Sequence, residues 1–210
     1  MNFKLSTTAR SMKSGFTLVE LLIVIGLLGA IALIVISAIN PIEQANKARD
    51  ARFKADASQL ISAIERYYAS NSVFPWQNCG AGVCPTSSDQ FGFISANDTS
   101  VGLCGTVACN DQTGVLIASD ELKTEFLTRD WVKAGPTAVE TQIQIGKGSG
   151  SSSSVYACFI PLAKATKDTA LANHTVRAIG FTNGLPNSGT CANSTTDNWT
   201  TKGCYVCIPE

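Results

Sequence analysis

At 210 residues the chain has room for one ordinary domain beside a membrane segment. Its 16 basic and 16 acidic residues cancel, and it holds a single histidine. That composition argues against a basic nucleic-acid-binding surface and against any metal centre that needs two histidines.

The charge is not evenly spread. Residues 1–15 carry Lys4, Arg10 and Lys13 and no acid, which leaves 13 basic against 16 acidic residues in the remainder. Phe16 to Ile39 then runs for 24 residues with one charge, Glu20. A helix of that length spans about 36 Å, enough for a hydrocarbon core of roughly 30 Å. The preceding cations place its N-terminal side in the cytoplasm and everything after Ile39 outside. A secretory signal peptide has a shorter apolar core followed by an A-x-A-like site, whereas this core is longer and no such site follows it. A lipoprotein signal needs a cysteine just after the run, and the first cysteine is Cys79. A plain signal anchor explains the composition but not Glu20. A carboxylate there is unfavourable by a few kcal/mol, eased near the helix start where the dipole favours an acid. No Lys or Arg lies between Phe16 and Pro41 to meet it. A cut between Gly15 and Phe16 creates a cation, the Phe16 α-amine, at the same depth.

Lys13, Gly15, Phe16, Thr17, Leu18 and Glu20, followed by the uninterrupted apolar run, closely resemble the prepilin signature of type IV pilins and type II secretion pseudopilins. The resemblance covers about residues 12–70 and is most specific over its first ten. It implies a membrane-embedded aspartyl prepilin peptidase that cuts after Gly15 and N-methylates Phe16. It further implies that Glu20 contacts the Phe16 amine of a neighbouring subunit in a helical homo-oligomeric filament. An inner-membrane assembly platform and motor are the implied partners. The subunit is then single-pass in the inner membrane before assembly and extracellular afterwards. One departure stands out. Many pilins carry a proline about 21 residues after the new N-terminus, where this chain has Ser37; its proline is Pro41, one turn later. Pro41 cannot donate to the Ser37 carbonyl, so a kink is expected there. Gly26 and Gly29 are further weak points, and Gly26 with Ala30 forms a small-xxx-small pair suited to close helix approach. In the family the matching stretch often unwinds, here between Gly29 and Pro41.

After Asn40-Pro41, Ile42, Ala45, Arg49, Phe53, Ala57, Leu60, Ile64 and Tyr67/Tyr68 recur at spacings of three and four. They predict an amphipathic helix over 40–70, stopped near Asn71 and Pro75. With the apolar segment it makes a spine of about 80 Å. Lys47, Asp50, Lys54, Asp56 and Glu65 on its opposite face read as a solvated surface. In the family, this half-helix packs on the sheet and some of its charges meet neighbouring subunits.

Beyond Pro75, strand signals take over. "VETQIQI" (139–145) alternates, "VYACFI" (155–160) should pair back on it, and "TVRAIGFT" (175–182) and "CYVCI" (204–208) are further strands. "VLIAS" (115–119) reads as a strand or the lead-in to a short helix at Asp120–Arg129. "GKGSGSSSS" (146–154) reads as a hairpin loop, since Lys147 lacks phosphate-loop spacing. A long helix on a small antiparallel sheet is an α+β fold, and it is the head the resemblance implies.

All eight cysteines fall from Cys79 onward, an even count that suggests disulfides formed in an oxidising compartment. Cys79 with Cys84 and Cys104 with Cys109 are local candidates in Gly-rich loops. Cys158, Cys191, Cys204 and Cys207 lie later, where pilins commonly close a C-terminal loop. Cys204 and Cys207 would point to opposite faces of a strand and so favour different partners. Cys191 with Cys204 and Cys158 with Cys207 is the expected arrangement among many. Zinc at Cys204-x2-Cys207 is the rival reading and needs reduced thiolates. His174, the one histidine, has no nucleophile motif around it and reads as an exposed loop residue. Asn97, Asn173, Asn193 and Asn198 each begin an N-x-[ST] sequon, and Asp197 is a weak calcium candidate.

The expected organisation is a cleaved leader (1–15), a membrane and filament-core helix (16–39), an amphipathic helix (40–70) and an extracellular head (71–210). The expected role is a non-enzymatic pilus subunit, without cofactor or metal, serving attachment, twitching motility or DNA uptake. A type II secretion pseudopilin is the alternative, and a membrane-anchored binding module that never polymerises is a further one.

Overall fold

The computed structural model describes residues 15–38, 40–78, 88–105, 109, 114–133, 138–150 and 152–210. The expected leader through Ser14, Ile39, Cys79 and Cys84 lie outside them. The chain divides into two units, Met1–Pro41 and Ile42–Glu210.

The first unit contains α1 (Leu18–Ala38), 21 residues whose sole ionisable side chain is Glu20 in the first turn. Leu, Ile, Val and Ala surround the axis, so no polar face exists for water and no single stripe exists for a core. Leu18–Ile36 is long and apolar enough to cross a membrane, and none of it is buried within the chain. Pro41 does not lie in a helix interior. It is the first residue of α2 (Pro41–Asn71), where its missing N–H leaves no intrahelical bond unmade.

Within α2 the apolar stripe is real from Phe53 onward: Phe53, Ala57, Leu60, Ile64 and Tyr67 are buried. Leu60 and Ile64 are fully buried, and each such side chain contributes roughly 1.5–3 kcal/mol. The stripe does not extend to the helix start, since Ile42 remains 72% exposed. The solvated-face reading also fails at two positions, because Asp50 and Asp56 are buried. Their partners are distant in sequence, which local periodicity does not register. The Asn71 amide donates to the Tyr67 carbonyl at 3.0 Å, and Ser72 at φ 58° turns the chain out of the helix. A run of stacked rings follows. Tyr68 lies on Phe74 (4.3 Å), Phe74 on Trp76 (4.6 Å) and Trp76 on Phe91 (4.6 Å), tying the end of α2 to the first strand.

The sheet has six strands, β1 (Phe91–Ser95), β2 (Ile143–Lys147), β3 (Val155–Phe159), β4 (Val176–Thr182), β5 (Leu185–Ser188) and β6 (Tyr205–Ile208), in the order β1-β2-β3-β6-β4-β5. Every neighbouring pair is antiparallel. Both faces are covered. Ile143, Ile145, Val155, Ala157 and Phe159 join the core under α2, while Tyr156, Cys158 and Val206 join a second cluster around Trp199. On that side Phe93 of β1 stacks on Phe181 of β4 at 4.6 Å, which curls the sheet.

Two boundaries differ from the sequence expectation. Val139–Thr141 is a 3-10 turn, and β2 runs from Ile143 through Gly146 and Lys147, residues expected in the loop. Alternation alone shows no start point, because a 3-10 turn also tolerates Val-Glu-Thr. Gly146 is needed in the strand, since a Cβ there would lie 2.8 Å from the Phe93 ring. The "VLIAS" stretch forms the short helix α3 (Val115–Ala118), and the helix expected at Asp120–Arg129 is instead a 3-10 turn at Thr124–Thr128, followed by α4 (Asp130–Lys133). Strand β5 and the helices α5 (Lys164–Ala172) and α6 (Trp199–Lys202) had no counterpart in the sequence reading. The hairpin β4–β5 turns at Asn183 (φ 52°) and Gly184 (φ 79°), a two-residue turn with positive φ at both centres that Asn-Gly favours.

Candidate functional site

The signature residues gather at the start of α1. Gly15, Phe16 and Thr17 precede the helix without regular structure, and Phe16 is 77% exposed. The Glu20 backbone N–H donates to the Thr17 hydroxyl at 3.2 Å, and the Leu21 N–H donates to the Thr17 carbonyl at 3.2 Å. Thr17 is therefore the N-cap, and Glu20 occupies the third helical position. T-x-x-E is the capping-box spacing, so the sequence carried a signal for this role of Thr17. The Glu20 carboxylate sits in the first turn, on the positive end of the helix dipole. Gly26 and Gly29 have open space where a side chain would project. The arrangement is an exposed apolar rod with one negative group, suited to lipid or to other such rods.

In the second unit, α2 meets the rest of the head through charged side chains as well as apolar ones. Arg49 lies over the Phe53 ring at 3.9 Å and donates to Asp50 at 3.0 Å, to the Ile160 carbonyl at 2.8 Å and to the Glu140 carbonyl. Asp56 accepts from the Trp131 indole at 3.0 Å and lies 3.4 Å from the Arg129 guanidinium.

Three disulfides form among the described residues. Cys104 is bonded to Cys109, Cys158 to Cys207 and Cys191 to Cys204. Cys158 and Cys207 face each other on β3 and β6, with Cα atoms 4.0 Å apart. Cys204 and Cys207 are thus each bonded elsewhere and hold no thiolate for zinc. Between Cys191 and Cys204 the loop is organised by Asp197, whose Oδ2 accepts from Ala192 N–H (2.7 Å) and Asn193 N–H (3.0 Å). Its Oδ1 accepts from the Lys202 ammonium at 2.6 Å, so the cation beside Asp197 is a lysine. Lys202 first, and then the two N–H groups, hold the Asp197 carboxyl down to about 2.

The remaining polar candidates separate by burial. Lys147 is 1% exposed, with its ammonium donating to the Gly150 carbonyl at 2.6 Å and lying 5.0 Å from the Phe74 ring centre. It organises the serine-rich turn from inside. Among the sequons, Asn97 is 3% exposed and donates its amide to the Trp131 carbonyl at 3.0 Å, so it is closed to an acceptor role in the folded chain. Asn193 and Asn198 are exposed but use their side-chain oxygens as turn and helix caps. Asn173 is exposed at the end of α5, next to the exposed His174 at φ 55°.

Residues 10–36 match the prokaryotic N-terminal methylation motif. The chain is 32% identical over 78 residues to the type IV major pilin protein PilE of Neisseria gonorrhoeae, covering 37% of this chain and 46% of that protein. It is 30% identical over 97 residues to the fimbrial protein EcpC of Eikenella corrodens, covering 46% of this chain and 60% of the relative. The chain thus spans about half the length of the curated relatives it matches. No solved structure matches it. The chain carries the prokaryotic N-terminal methylation motif on an apolar helix and has an α+β, pilin-like fold, and it is similar to a type IV major pilin protein and a fimbrial protein.

Proposed function

We propose that this chain is a prepilin, cut between Gly15 and Phe16 and N-methylated on Phe16, that polymerises into a type IV pilus filament. In that filament α1 forms part of the core and the disulfide-braced heads face outward. The prepilin peptidase, an inner-membrane platform and a motor are its partners, and attachment, twitching motility or DNA uptake its uses. The subunit is structural and performs no catalysis.

The observation that carries this reading is Glu20. It is the lone ionisable group in a 21-residue apolar helix, and the span offers no cationic side chain. The mature Phe16 amine of a neighbouring subunit supplies that cation, so the carboxylate is unfavourable alone and favourable once docked. The similarity to a type IV major pilin protein and a fimbrial protein supports a pilin-like filament subunit.

Glu20→Ala in cells tests the docking step. The variant is expected to be cleaved and inserted in the membrane yet to yield no filaments by electron microscopy of the surface fraction. Filaments at wild-type number and length would remove the docking role from Glu20.

A further inference from the structure

The two parts of α2 are held to the head by different means. From Phe53 to Tyr67 the contact is an apolar seam in which Asp56, bonded to Trp131, is the one buried charge. From Pro41 to Arg52 no apolar side chain is buried, and the contacts are polar. Glu43 accepts from the Lys164 N–H at 3.1 Å and the Ala165 N–H at 3.2 Å. Asp50, 3% exposed, accepts from the Leu162 N–H at 3.1 Å and the Ala163 N–H at 2.9 Å. Arg49 holds Asp50 and reaches the carbonyls of Ile160 and Glu140.

These four N–H groups lead into and open α5. Ala163 stands at its N-cap position and makes no side-chain cap, so the first turn lacks a local acceptor. Glu43 and Asp50 are seven residues apart, two turns along one face of α2, and supply the missing acceptors from another helix. Each group in this contact can exchange its protein partner for water when the contact opens. The apolar side chains of the seam, Leu60 and Ile64 among them, have no such replacement, because water is a poor partner for them.

We infer that Glu43, Arg49 and Asp50 form a releasable clasp. It lets Pro41–Arg52 leave the head as a unit while Phe53–Asn71 stays packed, and its release frays the start of α5. The use of such a clasp, to yield under load on α1 before the head unfolds, rests on the filament reading. The clasp itself belongs to a single chain and is testable without filaments.

The test is hydrogen exchange read by mass spectrometry on the chain in detergent micelles, wild type against Asp50→Asn and Glu43→Gln. In the wild type, amides of 42–52 should exchange faster than those of 57–67. Asp50→Asn should speed exchange of 42–52 and of Leu162–Ala165 about tenfold, as expected for losing hydrogen bonds to a charged group. Glu43→Gln, at a surface carboxylate, should speed the same amides about fivefold. Neither should change 57–67. Equal acceleration along all of α2, no acceleration in either variant, or wild-type 42–52 as protected as 57–67 would each overturn the clasp. If Asp50→Asn does not fold, Glu43→Gln decides by the same comparison. Filament failure with intact clasp behaviour would count against the pilus reading alone.

Discussion

The Trp131 indole N–H donates to the Asp56 carboxylate at 3.0 Å, joining residues 75 apart in the chain. Both side chains are buried, and Arg129 approaches the same carboxylate at 3.4 Å. Asp56→Ala should leave the indole donor unpaired and cost about 2 kcal/mol. For a chain of this size that lowers the melting temperature by roughly 4–8 °C. Adding Trp131→Phe removes the orphaned donor, so the double variant should lose less than the two single losses summed. Thermal unfolding of the four proteins checks this, and strict additivity would contradict the coupling.

Lys147 gives a test on the alkaline side. Burial holds its ammonium pKa below the ordinary lysine value, partly opposed by the Asp89 carboxylate. Between that lowered value and about 10.4, the unfolded chain binds the proton more than the folded chain does. Stability contributed at this site therefore rises with pH across that window. Urea unfolding of wild type and Lys147→Met from neutral to alkaline pH should show the difference moving in favour of wild type. A difference that stays flat would contradict the burial of the charge.

Asp197 gives the acid counterpart. Its carboxyl pKa is lowered to about 2 by Lys202 and the Ala192 and Asn193 N–H groups. A lowered carboxylate pKa stabilises above the unfolded value and loses that stabilisation as pH falls through the folded one. The Cys191–Cys204 loop should keep its amide protection at about pH 3, where ordinary surface carboxylates are protonated. Asp197→Asn should speed exchange at Ala192 and Asn193 already at neutral pH. Unchanged exchange in the variant would show that the disulfide alone orders the loop.

What the sequence disclosed follows from the range of the interactions. The exposed apolar helix, its lone acid and the α+β character are written in consecutive residues and short periods, and so were legible. Strands β3, β4 and β6 were legible for the same reason. Strand β5 carries Pro186 and only four residues, so its one local trace is the hairpin signal Asn183-Gly184 before it. Helix α5 has no cap of its own, because α2 provides the acceptors. Asp50 and Asp56 looked solvent-facing because the groups that bury them lie 112 and 75 residues away. Polar contacts of that range leave no periodic trace.

Polymerisation itself is tested most directly by mass spectrometry of fibres sheared from cells that express this chain. The filament reading predicts an abundant fibre protein whose first residue is N-methylated Phe16. A chain absent from the fibres, or present in membranes with residues 1–15 still attached, would contradict it.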